Sequence, residues 1–415
     1  MSSGFLLTPI TTKSERITGI IKQRPEDFIV GEISQDLERL DPRDDNFKLG
    51  GNKGLFIHFV LIKNDIDTSS ALDWIARIWG VPRNYVGIAG SKDKKALTAQ
   101  KVSVWGIKER FENGKIQEIN TPKLKTKSLC LQMKELRLGD LWGNFFEIKI
   151  RGIPLDKNII EAVIKEKLTE IKQKKSIMNG FGVQRFGDVR PITHLVGEKL
   201  LLGDFKAAIK EYIGRTFEEE STDTVQSRKI YWETENVKET LKHLPSHLQI
   251  ERKLLGELLR TNNDYEQVFL SLPIQLRKLF IHAYQSYLFN RYLSIRYESY
   301  SKDLLNPIEG EKIVNQDVVA PILGSKTQLS GEVEEIYQTI LENEAVTTND
   351  FSKAMSKKLG STGTFRTIMM KPEKLKLLEI AKDDLNENRN LAKISFELQK
   401  GSYATELLKE IVAFN

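Results

Sequence analysis

Cysteine is nearly absent from this 415-residue chain. The single Cys130 excludes an internal disulfide and a cysteine-based zinc cluster. Histidine is scarce too. His58, His194, His243, His247 and His282 show no HExxH pattern, and Pro245 interrupts the one pair at helical spacing. Neither metal nor nucleotide cofactor is expected, because no GxGxxG or Walker-type loop occurs either. No apolar run approaches the roughly 18 residues needed to cross a bilayer, so no membrane contact is expected. The opening residues, MSSGFLLTPITTKSER, lack a basic start followed by a long apolar core, and the reading is a soluble, cytoplasmic protein. Internal repeats and low-complexity tracts are missing. Neither sign of charge dominates: 63 Lys and Arg against 57 Asp and Glu leave a net +6. That excess permits a nucleic-acid partner held through its phosphates but does not establish one.

What is present is an ordinary globular composition, 40% hydrophobic and 29% charged, long enough for two or three domains at about 150 residues each. Short β-rich runs at 17–22, 29–33, 55–62, 85–89, 101–106 and 145–150 predict strands in the first part of the chain. Pro25 makes 23–28 a turn between the first two. Thr68-Ser69-Ser70 reads as the cap of a helix over 68–79, and 156–177 reads as an amphipathic helix with a basic end. From about 195 to 300 the pattern is mainly helical, and 300–375 mixes strand signals with glycine-rich turns such as 360–364. A strand at 394–398, a turn and cap at Gly401-Ser402 and a helix over 404–412 close the chain. Strands at both ends and helices between them predict an α+β domain interrupted by a helical insertion.

Three segments carry candidate chemistry. In Gly90-Ser91-Lys92-Asp93-Lys94-Lys95, three lysines bracket one carboxylate at the end of a strand. Nearby cations favour the ionised acid and attract phosphate. The segment reads either as a solvated turn that Asp93 favours, or as a nucleophile or base facing RNA. Residues 179–187, NGFGVQRFG, interleave glycines with Phe181 and Phe186 and include Arg185. They are either a turn whose aromatics fill the core, or a platform on which an unstacked base rests while Arg185 takes phosphate. Lys22 and the Pro25-Glu26-Asp27-Phe28 turn are the third, with an ordinary charged loop as the plainer reading.

Taken in order, Lys22 with Pro25-Glu26-Asp27-Phe28 and Glu32, then Gly90 to Ala96 with Thr98 and Gln100, then Asn179 to Gly187, resemble the TruD family of tRNA pseudouridine synthases, in its archaeal type. Leu138-Gly139-Asp140-Leu141 with Gly143-Asn144, the stretch 285–290 and Gly401-Ser402-Tyr403-Ala404-Thr405 extend the resemblance over most of the chain. Residues 205–270 match loosely, and Gly180 stands where the family often has an aromatic residue.

The resemblance implies a pseudouridine synthase fold with a mainly antiparallel sheet, formed by 1–178 and 380–415, and a largely helical TRUD insertion over 179–379. It implies isomerisation of uridine to pseudouridine in tRNA, at position 13 or also position 35 of tyrosine tRNA, without cofactor. Asp93 matches the family's catalytic aspartate and Lys22 the lysine that pairs with it. Phe28, Asn179, Phe181, Arg185, Tyr403 and Lys92 are the implied substrate contacts. Lys353, Lys357, Lys358, Arg366 and Lys371 read as an added phosphate surface. Two rivals remain: a catalytically silent RNA-binding or tRNA-chaperone protein on the same fold, and an RNA hydrolase. The second would want another carboxylate or metal ligands near Asp93, where the sequence has lysines.

Overall fold

The computed structural model describes residues 10–187, 189–360 and 362–414. Ser361 of the 360–364 turn and the first nine residues of the N-terminal stretch lie outside them. The chain forms two compact units. One comprises Ile10–Ile177 and the chain from Met370 onward, and the other Met178–Met369. The crossing at 369/370 differs from the expected boundary at 379/380. That boundary would cut through the continuous strand Glu373–Lys382, which hydrogen-bonds along Asn390–Gln399.

The first unit is built on a mixed sheet. Its strands run in the order Glu373–Lys382, Asn390–Gln399, Gly143–Ile153, Phe28–Ile33, Leu97–Trp105, Phe56–Asn64, Leu124–Gln132, with Val86–Ile88 paired to Leu97–Trp105. Every pairing is antiparallel except one: Phe28–Ile33 runs parallel to Leu97–Trp105, with Ile29 opposite Leu97. Helix Lys157–Lys174 lays Ile160, Ile164, Leu168 and Ile171, one helical face, on a core that includes Ile148, Ile150, Ile394 and Phe396. It stops at Lys174, short of the expected 177, because Lys175 turns left-handed at φ +60°. Helix Thr68–Trp79 packs Leu72, Ile75 and Trp79 against Ile57, Phe59 and Val104. Its cap is Asp67, whose carboxylate accepts from the Ser70 amide, rather than Thr68-Ser69-Ser70. The helix after Gly401-Ser402 spans Ala404–Ile411 with Tyr403 at its N-cap.

The second unit is mainly helical. Its spine is Ile274–Ile295, buried on most of its circumference, from Phe280 and Ile281 to Tyr292 and Leu293. Helices Gly331–Asn343 and Thr348–Ser356 occupy a stretch expected to hold strands and turns. A three-stranded antiparallel sheet sits there too, in the order Thr364–Thr367, Asp317–Ile322, Lys312–Val314. No described helix of either unit is long and apolar enough to cross a membrane.

Candidate active site

The one parallel pairing within this large sheet fixes the site. Strands that run the same way begin at the same sheet edge, so the turns leading into Phe28–Ile33 and Leu97–Trp105 meet there. The first turn carries Lys22 and the second Asp93. The antiparallel strand Phe56–Asn64 finishes at this edge, with Lys63 opposite Thr98.

Lys22 Nζ lies 2.6 Å from Asp93 Oδ1. Both side chains are about one-fifth exposed (18% and 19%), so the carboxylate is reachable yet mostly dehydrated. Lys22 also stands 4.1 Å above the centre of the Phe28 ring. Phe28 itself is buried, with its edge on Phe146, so it floors the ion pair instead of facing solvent. Lys22 holds φ +59°, a left-handed conformation that costs a non-glycine residue about 1–2 kcal/mol. Packing on both sides of the turn holds it there. Arg151 reaches Asp27 at 2.8 Å, Asp383 at 2.7 Å and Asp384 at 2.6 Å. Gln23 is bonded by Asn386 at 2.7 Å, and the Arg24 amide donates to Asp27. Burial opposes the charge on Asp383, but amides of Leu385 and Gly152, with Asn386 and Arg151, hold its carboxyl down at about 2.

The Asp93 turn is anchored as firmly. Gln100 donates to the Gly90 carbonyl at 2.9 Å. The Thr68 hydroxyl accepts from the Lys92 amide at 3.0 Å and donates to its carbonyl at 3.2 Å. Lys63, wholly buried, donates from Nζ to the Asp93 carbonyl. Burial pushes the Lys63 ammonium down to about 8; Asp93 and Asp67 oppose that shift, while Lys92 and Lys22 add to it. Lys92 departs from its expected role. Its ammonium is buried on Glu32 at 2.9 Å, with side chains 3% and 1% exposed, and cannot meet a phosphate. Of the three lysines that flank Asp93, this one serves the fold.

Lys63, Arg151 and Asp383 were not among the candidates. Lys63 closes an apolar run in the sequence, where a charge reads as the end of a strand. Arg151 and Asp383 are 232 residues apart. Tyr403, the remaining candidate in this unit, is half-buried at the start of Ala404–Ile411.

Asn179, Phe181 and Arg185 form a second cluster, within the helical unit. The Asn290 side chain closes a two-way bond with the Phe181 main chain, accepting at 2.7 Å and donating at 2.8 Å. Arg185 Nε donates to Ser286 at 3.0 Å. Arg366 lies 4.1 Å over the Phe181 ring and donates to Asn179 Oδ1 at 3.0 Å. Thus 179–185 and 285–290, two stretches of the sequence resemblance, support one another. Phe186 is core, fully buried with its edge on His194. The added phosphate surface is largely engaged already: Lys353 pairs with Asp350, Lys357 with Glu266, and Arg366 belongs to the Phe181 cluster.

Among the described residues no group of three or more His, Cys, Asp or Glu is placed to hold a metal ion. The family described as tRNA pseudouridine synthase D (TruD) matches residues 7–319 and 315–411. A protein of Methanosarcina barkeri, described as a probable tRNA pseudouridine synthase D, is 33% identical over 436 residues, spanning 97% of this chain and 95% of its own. One from Methanococcus aeolicus with the same description is 35% identical over 408 residues, 96% of each chain. A crystal structure from Methanosarcina mazei, described as that of the putative tRNA pseudouridine synthase D (TruD), superposes with a TM-score of 0.75 at 32% identity, over 98% of this chain and 96% of that one. Likeness of this extent defines the class: the protein is a tRNA pseudouridine synthase, an isomerase. Within that class the chain belongs to the TruD family.

Proposed function

We propose that this enzyme converts uridine to pseudouridine at position 13 of tRNA, with Asp93 as the group that acts on the ribose. The observation that supports this most is the 2.6 Å pair between Asp93 and Lys22 on the Phe28 ring. The ammonium keeps the carboxylate charged, while burial strips most of its water, the condition under which a carboxylate attacks carbon. Asp93 either attacks C1′ or removes the C2′ proton to leave a glycal. In both courses the N1–C1′ bond breaks and its electron pair leaves with the base. The uracil turns and C5 bonds to C1′, either as the C1′–O bond to Asp93 breaks or as Asp93 returns the proton to C2′ of the glycal; the C5 proton then departs. Water in the site would capture the activated sugar, which favours an enclosed carboxylate. The target base must leave its stack to reach Asp93. Tyr403, and Asn179, Phe181 and Arg185 of the helical unit, are proposed as contacts to the tRNA.

The test is incubation with unmodified tRNA transcripts and mapping of pseudouridine at every position. Pseudouridine at position 13 is expected. Its appearance only at position 35 of tyrosine tRNA would move the target, and its absence from every position would end the proposal.

A further inference from the structure

The three-stranded sheet of the helical unit has two differently used faces. Neighbouring residues on a strand point opposite ways. Arg366 turns to the face that holds the Phe181 ring, so Phe365 turns to the other. There, Phe365 is opposite Pro321 and Lys312 is opposite Val319, all on one face. Lys312 Nζ stands 4.5 Å from the centre of the Phe365 ring. The ring is 44% exposed, high for a phenylalanine on a strand. Beside it opens a cavity of about 360 Å³, whose lining includes Lys312, Lys326, Thr362, Thr364 and Phe365 and contains no carboxylate.

The charge of this cavity is not spent internally. Elsewhere in this unit Lys353, Lys357 and Lys210 each meet a carboxylate. Lys312 and Lys326 form no ion pair among the described residues. The wall is also preformed. The Lys326 amide donates to the Thr362 carbonyl at 3.1 Å, binding the two loops together. Gly363, at φ +88°, passes so close to Thr327 that a Cβ would lie 2.3 Å from its hydroxyl. Only glycine lets these loops close.

We propose that this cavity is a second RNA subsite: one nucleotide of the tRNA seats its base on Phe365 while Lys312 and Lys326 take the adjoining phosphates. An aromatic face beside unpaired ammonium groups, with hydroxyls and no acid, is the chemistry that holds a single-stranded nucleotide. The inference rests on the reading that tRNA is the substrate, and it assigns this subsite to affinity, apart from the chemistry at Asp93.

The experiment measures tRNA affinity at several salt concentrations for the full-length wild type, Lys312→Gln/Lys326→Gln, Phe365→Ala and Phe365→Trp. The double variant should bind about tenfold more weakly, with a salt slope shallower by about one to two units, since each lost phosphate contact removes up to about 0.7–0.9. Phe365→Ala should weaken binding about fivefold or more with the slope unchanged, and Phe365→Trp should restore it. Turnover at saturating tRNA should stay within about twofold of wild type. Uridine monophosphate is the control ligand. Loss of its binding with tRNA affinity unchanged would make this a free-nucleotide site and overturn the proposal. Wild-type affinity and slope in all variants would overturn it equally. Pseudouridine formation by the wild type is scored in parallel. If it occurs while the variants bind normally, only the subsite fails; if it never occurs, the functional reading fails whatever the affinities.

Discussion

Arg151 holds Asp27 at 2.8 Å with both side chains almost wholly buried, and so fixes the turn on which Lys22 stands. Removing one member of such a pair leaves an uncompensated charge in the interior. Arg151→Met strands Asp27 and Asp383 and is expected to destabilise the sheet unit by about 3–5 kcal/mol. Adding Asp27→Asn and Asp383→Asn should recover part of the loss. Urea unfolding of the three proteins checks this; a single variant as stable as wild type would show that the pair does not hold the turn.

Asp93→Asn keeps the shape of the side chain and removes its charge. Pseudouridine formation should fall by more than about a thousandfold, while tRNA affinity changes less than about threefold. Single-turnover assays with labelled tRNA measure the first and filter binding the second. A rate within tenfold of wild type would remove Asp93 from the chemistry.

Lys22→Met deprives Asp93 of its counter-ion. Turnover should drop about tenfold to a hundredfold, the scale of a lost charge-assisted hydrogen bond, with little change in tRNA affinity. The two residues should be strongly non-additive: Lys22→Met should cost almost nothing in the Asp93→Asn background. Independent effects in that double-mutant cycle would show that Lys22 acts elsewhere.

Lys63 supplies a pH signature. Burial lowers its ammonium from 10.5 to about 8 in the folded protein. Between those values the unfolded chain binds more protons than the folded one, so this group's contribution to stability rises with pH. Relative to Lys63→Met, the wild type should gain on the order of 3 kcal/mol from pH 8 to pH 10.5. Unfolding free energies of both proteins across that range measure the difference, and parallel curves would contradict it. The same substitution removes the donor to the Asp93 carbonyl, so turnover should fall at every pH.

The sequence made the Asp93 turn visible because its signal is local: a strand, small residues, then one acid among lysines. It could not say which lysine points inward. Lys92 and Lys94 look alike in the chain, and only Glu32, sixty residues earlier, selects Lys92 for burial. Lys63 and Arg151 stayed hidden for the same reason, since their partners come from turns far off in the chain. The Asn179 and Arg185 segment was legible as a motif, but its support, Asn290 and Ser286, depends on a helix about a hundred residues on. Helix Thr348–Ser356 carries a local signal of its own. Thr347 and Asp350 form a capping box, which the nearby glycines masked.

The order of strands in the sheet unit bears on how the enzyme is made. Asn390–Gln399 pairs with Gly143–Ile153, across the whole of the intervening unit Met178–Met369. During synthesis that intervening segment leaves the ribosome as one uninterrupted stretch and can fold as it emerges. The sheet begun by the first 153 residues must wait with an open edge for its remaining strands. Closing it joins residues some 240 positions apart, which makes this a slow, late step of folding. The edge therefore closes only once Asn390–Gln399 has been made, and until then it is where a nascent chain is most exposed to aggregation or to a chaperone's grip.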